Sequence, residues 1–229
     1  MPGPSADILR RELRPTSEGS REIRDWPAEV RRRAFVSAKV EEARVLEAMR
    51  SACAAVAYGA LDASAARLAI LDALAAAGAE PAGDGTDGGV RDVTSRARMD
   101  LVLRTNRQQA QAMGQIARSE DPEVAAVFPA WELASGAWRR VHRNWFARWK
   151  AAGDSVAWRG ARRMRSANDR MVALKSSPIW AALGEGAGGF RDTLGNPWPP
   201  FAWNSSYVWL DVDAEDAAEL GLVAGGGEA

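Results

Sequence analysis

From Asp92 onward, apolar side chains recur at spacings of three and four: Met99, Leu103, Ala110, Met113 and Ala117. That is one face of an α-helix, so a long helix is predicted from Asp92 through Gln115 and just beyond. Thr94 is its candidate N-cap, with a hydroxyl able to accept from a first-turn amide. Asn106 falls on the same stripe. A hydrogen bond left unmade there would cost roughly 1–3 kcal/mol. Asn106 is therefore expected to hold a specific partner and to fix the packing of the helix.

The same reading extends along the chain. Residues 1–27 carry Pro2, Pro4, Pro15 and Pro27 with Ser and Gly between them, which reads as an extended arm with one short helical piece near Ile8–Leu13. Residues 28–58 read as helix, with Phe35, Ala38, Val45, Met49, Cys53 and Val56 on one side. Asp62 or Ser64 caps a second helix in which Leu68, Leu71 and Leu74 face inward and Gly78 marks the stop. The two form a helical hairpin over 28–79. A Gly-rich loop, 80–91, separates it from the long helix.

Beyond the long helix the character changes. Asp121-Pro122 starts a short helix that Pro129 ends, and Ala130-Trp-Glu-Leu is extended. Trp138, Val141, His142, Trp145 and Trp149 share a helical spacing, and Ala151-Ala-Gly-Asp closes that helix. Arg170–Lys175 and Tyr207–Val212 read as strands, with a Ser177-Pro178 helix start between them. Gly184–Gly189 reads as a flexible loop and Trp198–Trp203 as extended, since paired prolines forbid helix. Asp213 opens a last helix, ending at Gly221. The expected class is α+β, mainly α: a helical hairpin, a central helix, then short strands packed by tryptophans. The expected organisation is an arm (1–27), a body (28–223, its last part 92–223) and a flexible tail (224–229).

Composition narrows the chemistry. The 229 residues can bury a sizeable core. Lys plus Arg equals Asp plus Glu at 30 each, so no global pull toward nucleic acid or acidic lipid follows. Nearly all the positive charge is arginine beside abundant alanine, the usage of a GC-rich genome. One cysteine, Cys53, and one histidine, His142, make neither an intrachain disulfide nor an ordinary His/Cys zinc site. No apolar run reaches the ~20 residues of a membrane span, and Met1–Arg14 is too polar for a secretory signal. A soluble protein made in the cytosol, without cofactor or metal, is expected.

Nine of the ten tryptophans lie between Trp131 and Trp209, where long aliphatic runs are missing, so they are expected to form a core; a platform for sugars or bases is the sharper alternative. His142 reads as a hydrogen-bonded interior or boundary residue. Ser135 and Asp154 are near it in sequence only, and no Gly-x-Ser-x-Gly elbow supports a triad. The glycine-rich segments lack the endings of phosphate loops. Asp211 and Asp213 fit a strand end and a helix cap. Two basic clusters remain, Arg31-Arg32-Arg33 and Arg159, Arg162, Arg163 and Arg165. Solvated helix faces explain them; salt-sensitive, sequence-blind contact with DNA phosphates or an acidic partner is the functional alternative.

Four stretches together resemble a known family. They are Arg33-Ala-Phe35-Val-Ser-Ala-Lys-Val before a long helix; Arg104-Thr105-Asn106 with Gln108, Gln109 and Gln111; Asn144-Trp145-Phe-Ala-Arg-Trp149 followed by Met171-Val-Ala-Leu-Lys-Ser-Ser-Pro-Ile-Trp180; and Gly195-Asn-Pro-Trp-Pro199-Pro200-Phe201-Ala-Trp-Asn-Ser-Ser206 with Asp211–Leu222. Over about residues 30–223, in this order, they resemble minor head proteins of tailed phages, the Mu F-type head morphogenesis family. Where such proteins often carry glycine after the Asn-Ser of the last stretch, this chain has Ser206.

The resemblance implies that 28–223 is a head morphogenesis domain and that the protein is structural and non-enzymatic. It implies assembly at the portal vertex or inner capsid surface. The implied partners are the portal, major capsid or scaffolding protein, with genomic DNA as a further contact. The implied locations are the host cytoplasm during assembly and then the virion. Some members carry a further toxin or enzyme domain; none is expected here, since the chain stops soon after Gly221. The alternatives are a DNA-contacting protein of packaging or ejection, and a cell-wall or polysaccharide hydrolase built on tryptophans and carboxylates.

Overall fold

The computed structural model describes residues 4–81, 88–136, 143–158 and 169–223. It is mainly helical α+β, as the periodicities predict. The chain divides into two compact units, Met1–Gly114 and Gln115–Ala229.

The first unit begins with short elements: α1 (Pro4–Arg10), β1 (Glu12–Leu13), α2 (Ser20–Arg24), α3 (Ala28–Arg33) and β2 (Ala34–Phe35). It continues with the hairpin α4 (Ala43–Tyr58) and α5 (Ala63–Ala76), then α6 (Arg96–Ser119), whose last turn belongs to the second unit. Here the extended-arm reading of residues 1–27 is corrected. The prolines punctuate short elements: Pro4 opens α1, where a missing amide costs nothing, and Pro27 stands at the N-cap of α3. β1 pairs in parallel with β2, Glu12 opposite Ala34 and Leu13 opposite Phe35. Ile8 is fully buried in the same core as Phe35, Leu46, Met49, Ile70, Met99 and Leu103.

The single helix expected over 28–58 is also broken. Ala34 turns extended (φ −89°, ψ 143°) to pair with β1, and Lys39 sits in the left-handed region at φ 62°. Strand pairing overrides the helical spacing, so Phe35 reaches the core from a strand. Asp62 does cap α5, accepting from the Ser64 and Ala65 amides at 2.7 and 2.9 Å. The inward face is Ala66, Ile70 and Leu74 rather than one including Leu68, which is 61% exposed. Leu68 lies two residues from Ile70, about 200° round the helix. Gly78 stops the helix at φ 74°.

The cap of α6 is Ser95, whose Oγ accepts from the Arg98 amide at 3.0 Å. Thr94 instead donates through its amide and hydroxyl to Asp92 Oδ1, at 2.9 and 2.7 Å. Met99, Leu103 and Ala110 are buried as expected, and Met113 and Ala117 half-buried. Residues 82–87 of the glycine-rich loop lie outside the described residues.

The second unit holds α7 (Pro122–Val127), β3 (Ala130–Ser135), α8 (Trp145–Ser155), β4 (Val172–Leu174), α9 (Ile179–Glu185), β5 (Tyr207–Val212) and α10 (Ala214–Glu219). The sheet is antiparallel in the order β4-β3-β5, with Trp131 opposite both Ala173 and Asp211 and Leu133 opposite Trp209. Asp121, Asn144 and Asp213 cap their helices through carboxyl or amide oxygens.

Three expectations are revised in this unit. α8 starts at Trp145 and runs through Ser155, past the Ala151–Asp154 stop; Trp138, Val141 and His142 lie outside the described residues. Gly184 belongs to α9 and is buried, so the turn is only Gly186–Gly189, starting from a left-handed Gly186 at φ 84°. The 198–203 segment forms no strand: it holds a cis Pro199-Pro200 bond, and Ala202 alone bridges to Thr193. Without amides to donate, the paired prolines cannot join a ladder.

Candidate functional site

The residues that carry the chain's most distinctive sequence converge in the second unit, on an aromatic core. Trp131 of β3 and Trp209 of β5 stack with centroids 3.7 Å apart and planes 12° from parallel. Trp180 of α9 meets both edge-on, at 6.1 and 5.4 Å. Trp149 of α8 meets Trp180 at 5.3 Å, and Phe201 stacks on Trp180 at 6.1 Å. Trp149 and Phe201 are fully buried, and Pro199 and Pro200 are buried beside Phe201 in sequence. Trp145 is buried and stacks on Tyr207 at 4.7 Å, where burial pushes the Tyr207 hydroxyl above its ordinary range. Edge-to-face and offset contacts of this kind suit the ring quadrupoles.

Charged pairs ring this core. Asp211, 16% exposed at its side chain, accepts the Trp131 indole N–H at 3.1 Å, lies 3.0 Å from Lys175 Nζ and takes the Arg118 guanidinium on its other oxygen. Lys175 also sits over the Trp131 ring at 5.3 Å. Asp192 holds Arg148 at 2.7 Å and Arg143 at 3.3 Å, while Arg148 lies over the Phe190 ring at 4.4 Å. Arg170 bridges Glu132 and Asp216, at 2.9 and 2.7 Å, and both carboxylates raise its pKa. Both oxygens of Asp211 are committed to partners, so this carboxylate works as a cross-link between β5, β3 and α6.

The candidate residues of the first unit have a different setting. Asn106 finds its partners at the edge of the core: Nδ2 donates to Val102 O at 3.0 Å and Oδ1 accepts from Arg11 at 3.3 Å. Arg11 also donates to Gln109 and, at 2.5 Å, to Asp7. Thr105 beside it is half-buried. Arg98 is 9% exposed and, among the described residues, donates to neutral oxygens of Ser37, Ala38 and Val90, and burial lowers its pKa.

Of the basic clusters, Arg31 is half-buried with Nε donating to Trp26 O at 3.1 Å; burial and Arg32 lower its pKa. Arg32 and Arg33 are exposed at the end of α3. Arg159, Arg162, Arg163 and Arg165 lie outside the described residues. Among the described residues, no group of three or more His, Cys, Asp or Glu is arranged to hold a metal ion, and no helix is long and apolar enough to cross a membrane. Ser135 and Asp154 are exposed.

Sequence reasoning missed Asp192, Lys175 and Arg11 as organising charges. For Lys175 and Asp211 a signal existed: each is at or next to a strand end that flanks Trp131. Asp192 gave none, since Arg143 and Arg148 are distant in sequence; Arg11 had a local signal in Asp7, four residues before it, but its bonds to Asn106 and Gln109 are distant too. At the position where the resemblance expects glycine, Ser206 is buried and its carbonyl accepts from the Gly136 amide at 2.8 Å. In comparisons with known proteins, no family model, no curated protein and no solved structure matches this chain.

Proposed function

We propose that this protein is a structural minor head component of a tailed phage or prophage, assisting head assembly at the portal vertex or inner capsid surface. The observation that carries this reading is the ordered set of four stretches across residues 30–223. Support comes from where their residues fall. Trp145, Trp149, Trp180, Pro199, Pro200 and Phe201, from the third and fourth stretches, are all buried in one unit, most of them in direct ring contact. Phe35, from the first stretch, is core, and Asn106, from the second, is tied to Arg11 and to its own helix. The residues that carry the likeness sit in packing positions, which suits a structural component. In this reading no bond is made or broken on the chain, and its partners are the portal, major capsid or scaffolding protein.

Mass spectrometry of procapsids and finished virions from a phage encoding the chain tests the proposal. Presence at a few copies per particle is expected; absence from both would overturn it.

A second reading, a DNA-contacting protein of packaging or ejection, is favoured by Arg32 and Arg33, exposed at the end of α3, and by four arginines within residues 159–165. It requires DNA affinity that falls steeply with salt. A titration at two salt concentrations decides it, and no binding at low salt rejects it.

A further inference from the structure

We draw no further inference here: the strongest candidate, the exposed apolar side chains Tyr58, Leu61 and Leu68 on the α4–α5 hairpin, carries nothing because nothing in the structure shows what covers them.

Discussion

Trp131 and Trp209 lie on neighbouring antiparallel strands one diagonal step apart, since Trp131 is opposite Asp211 and Leu133 opposite Trp209. Their rings nevertheless stack at 3.7 Å, because the diagonal distance is within reach of two indoles. The pair joins the sheet to Trp180 and Phe201, and Asp211 fixes the Trp131 ring through its N–H.

W209A is therefore expected to destabilise the second unit by about 3–5 kcal/mol, the usual cost of truncating a buried large aromatic. W209F keeps an aromatic face and should cost less. Chemical denaturation of W131L, W209L and the double variant, which remove the rings but keep apolar bulk, measures the coupling, expected at about 0.5–1.5 kcal/mol. Additive effects would show that the stack contributes nothing beyond burial.

The N-terminal segment is part of the fold. Ile8 is fully buried, so I8A should destabilise the first unit by about 2–5 kcal/mol. Removing residues 1–27 takes away Ile8, β1 and the Arg11 bonds to Asn106 and Gln109, and is expected to give a chain with a loosened first unit. Circular dichroism melting and hydrogen exchange check this; an unchanged melt would show that the segment is dispensable.

Gly184 and Gly189 predict a contrast. A Cβ on Gly184 would stand 1.8 Å from the carbonyl oxygen of Asn196, which is backbone and cannot swing aside. G184A should fail to fold its second unit correctly. At Gly189 a Cβ meets nothing within 4 Å, and only the positive φ of 83° opposes it. G189A is expected to cost about 1–2 kcal/mol and to stay folded. Melting temperatures of the two variants give the comparison, and equal losses would contradict it.

Asp92 ties together the turn before α6, its carboxyl accepting from Gly88 and Thr94. Its carboxyl is held below the ordinary range, first by the Thr94 hydroxyl and then by the Gly88 amide. A proton therefore binds the unfolded chain more readily than the folded one. The stability Asp92 contributes is full above its unfolded pKa of about 4 and is lost as pH falls through the lower folded value. D92N should be less stable than the parent at neutral pH, with the gap closing in acid. A gap that stays constant in denaturant titrations across that range would refute the assignment.

Cys53 is buried among the α4 packing residues, and burial pushes its thiol up to about 12. The thiolate is the reactive form. A disulfide exchange reagent should leave the native protein unmodified and label one thiol per chain only once the first unit opens. Rapid labelling under native conditions would contradict the burial.

The sequence alone determined much of this molecule through local physics. The 3.6-residue spacing of α6, the Asp62, Asp121 and Asp213 caps and the strand β5 depend on neighbours a few residues away, and each stands where the sequence predicts it. The density of tryptophans after Trp131 also announced an aromatic core, and the stripe position of Asn106 announced a bonded amide. Tertiary structure decided the rest, because the deciding partners are far along the chain. Residues 34–35 leave the helical pattern only because β1, more than twenty residues earlier, offers a ladder. Ile8 and Arg11 lose the look of an arm only when α4 and α6 supply a core and an amide to bond. Gly184, within α9, has no room for a side chain because the Asn196 backbone packs against it. Asp211 becomes a cross-link only when Arg118, Trp131 and Lys175 arrive from three other segments. Local geometry is written in short spacings; which charges meet is fixed only when the chain closes on itself.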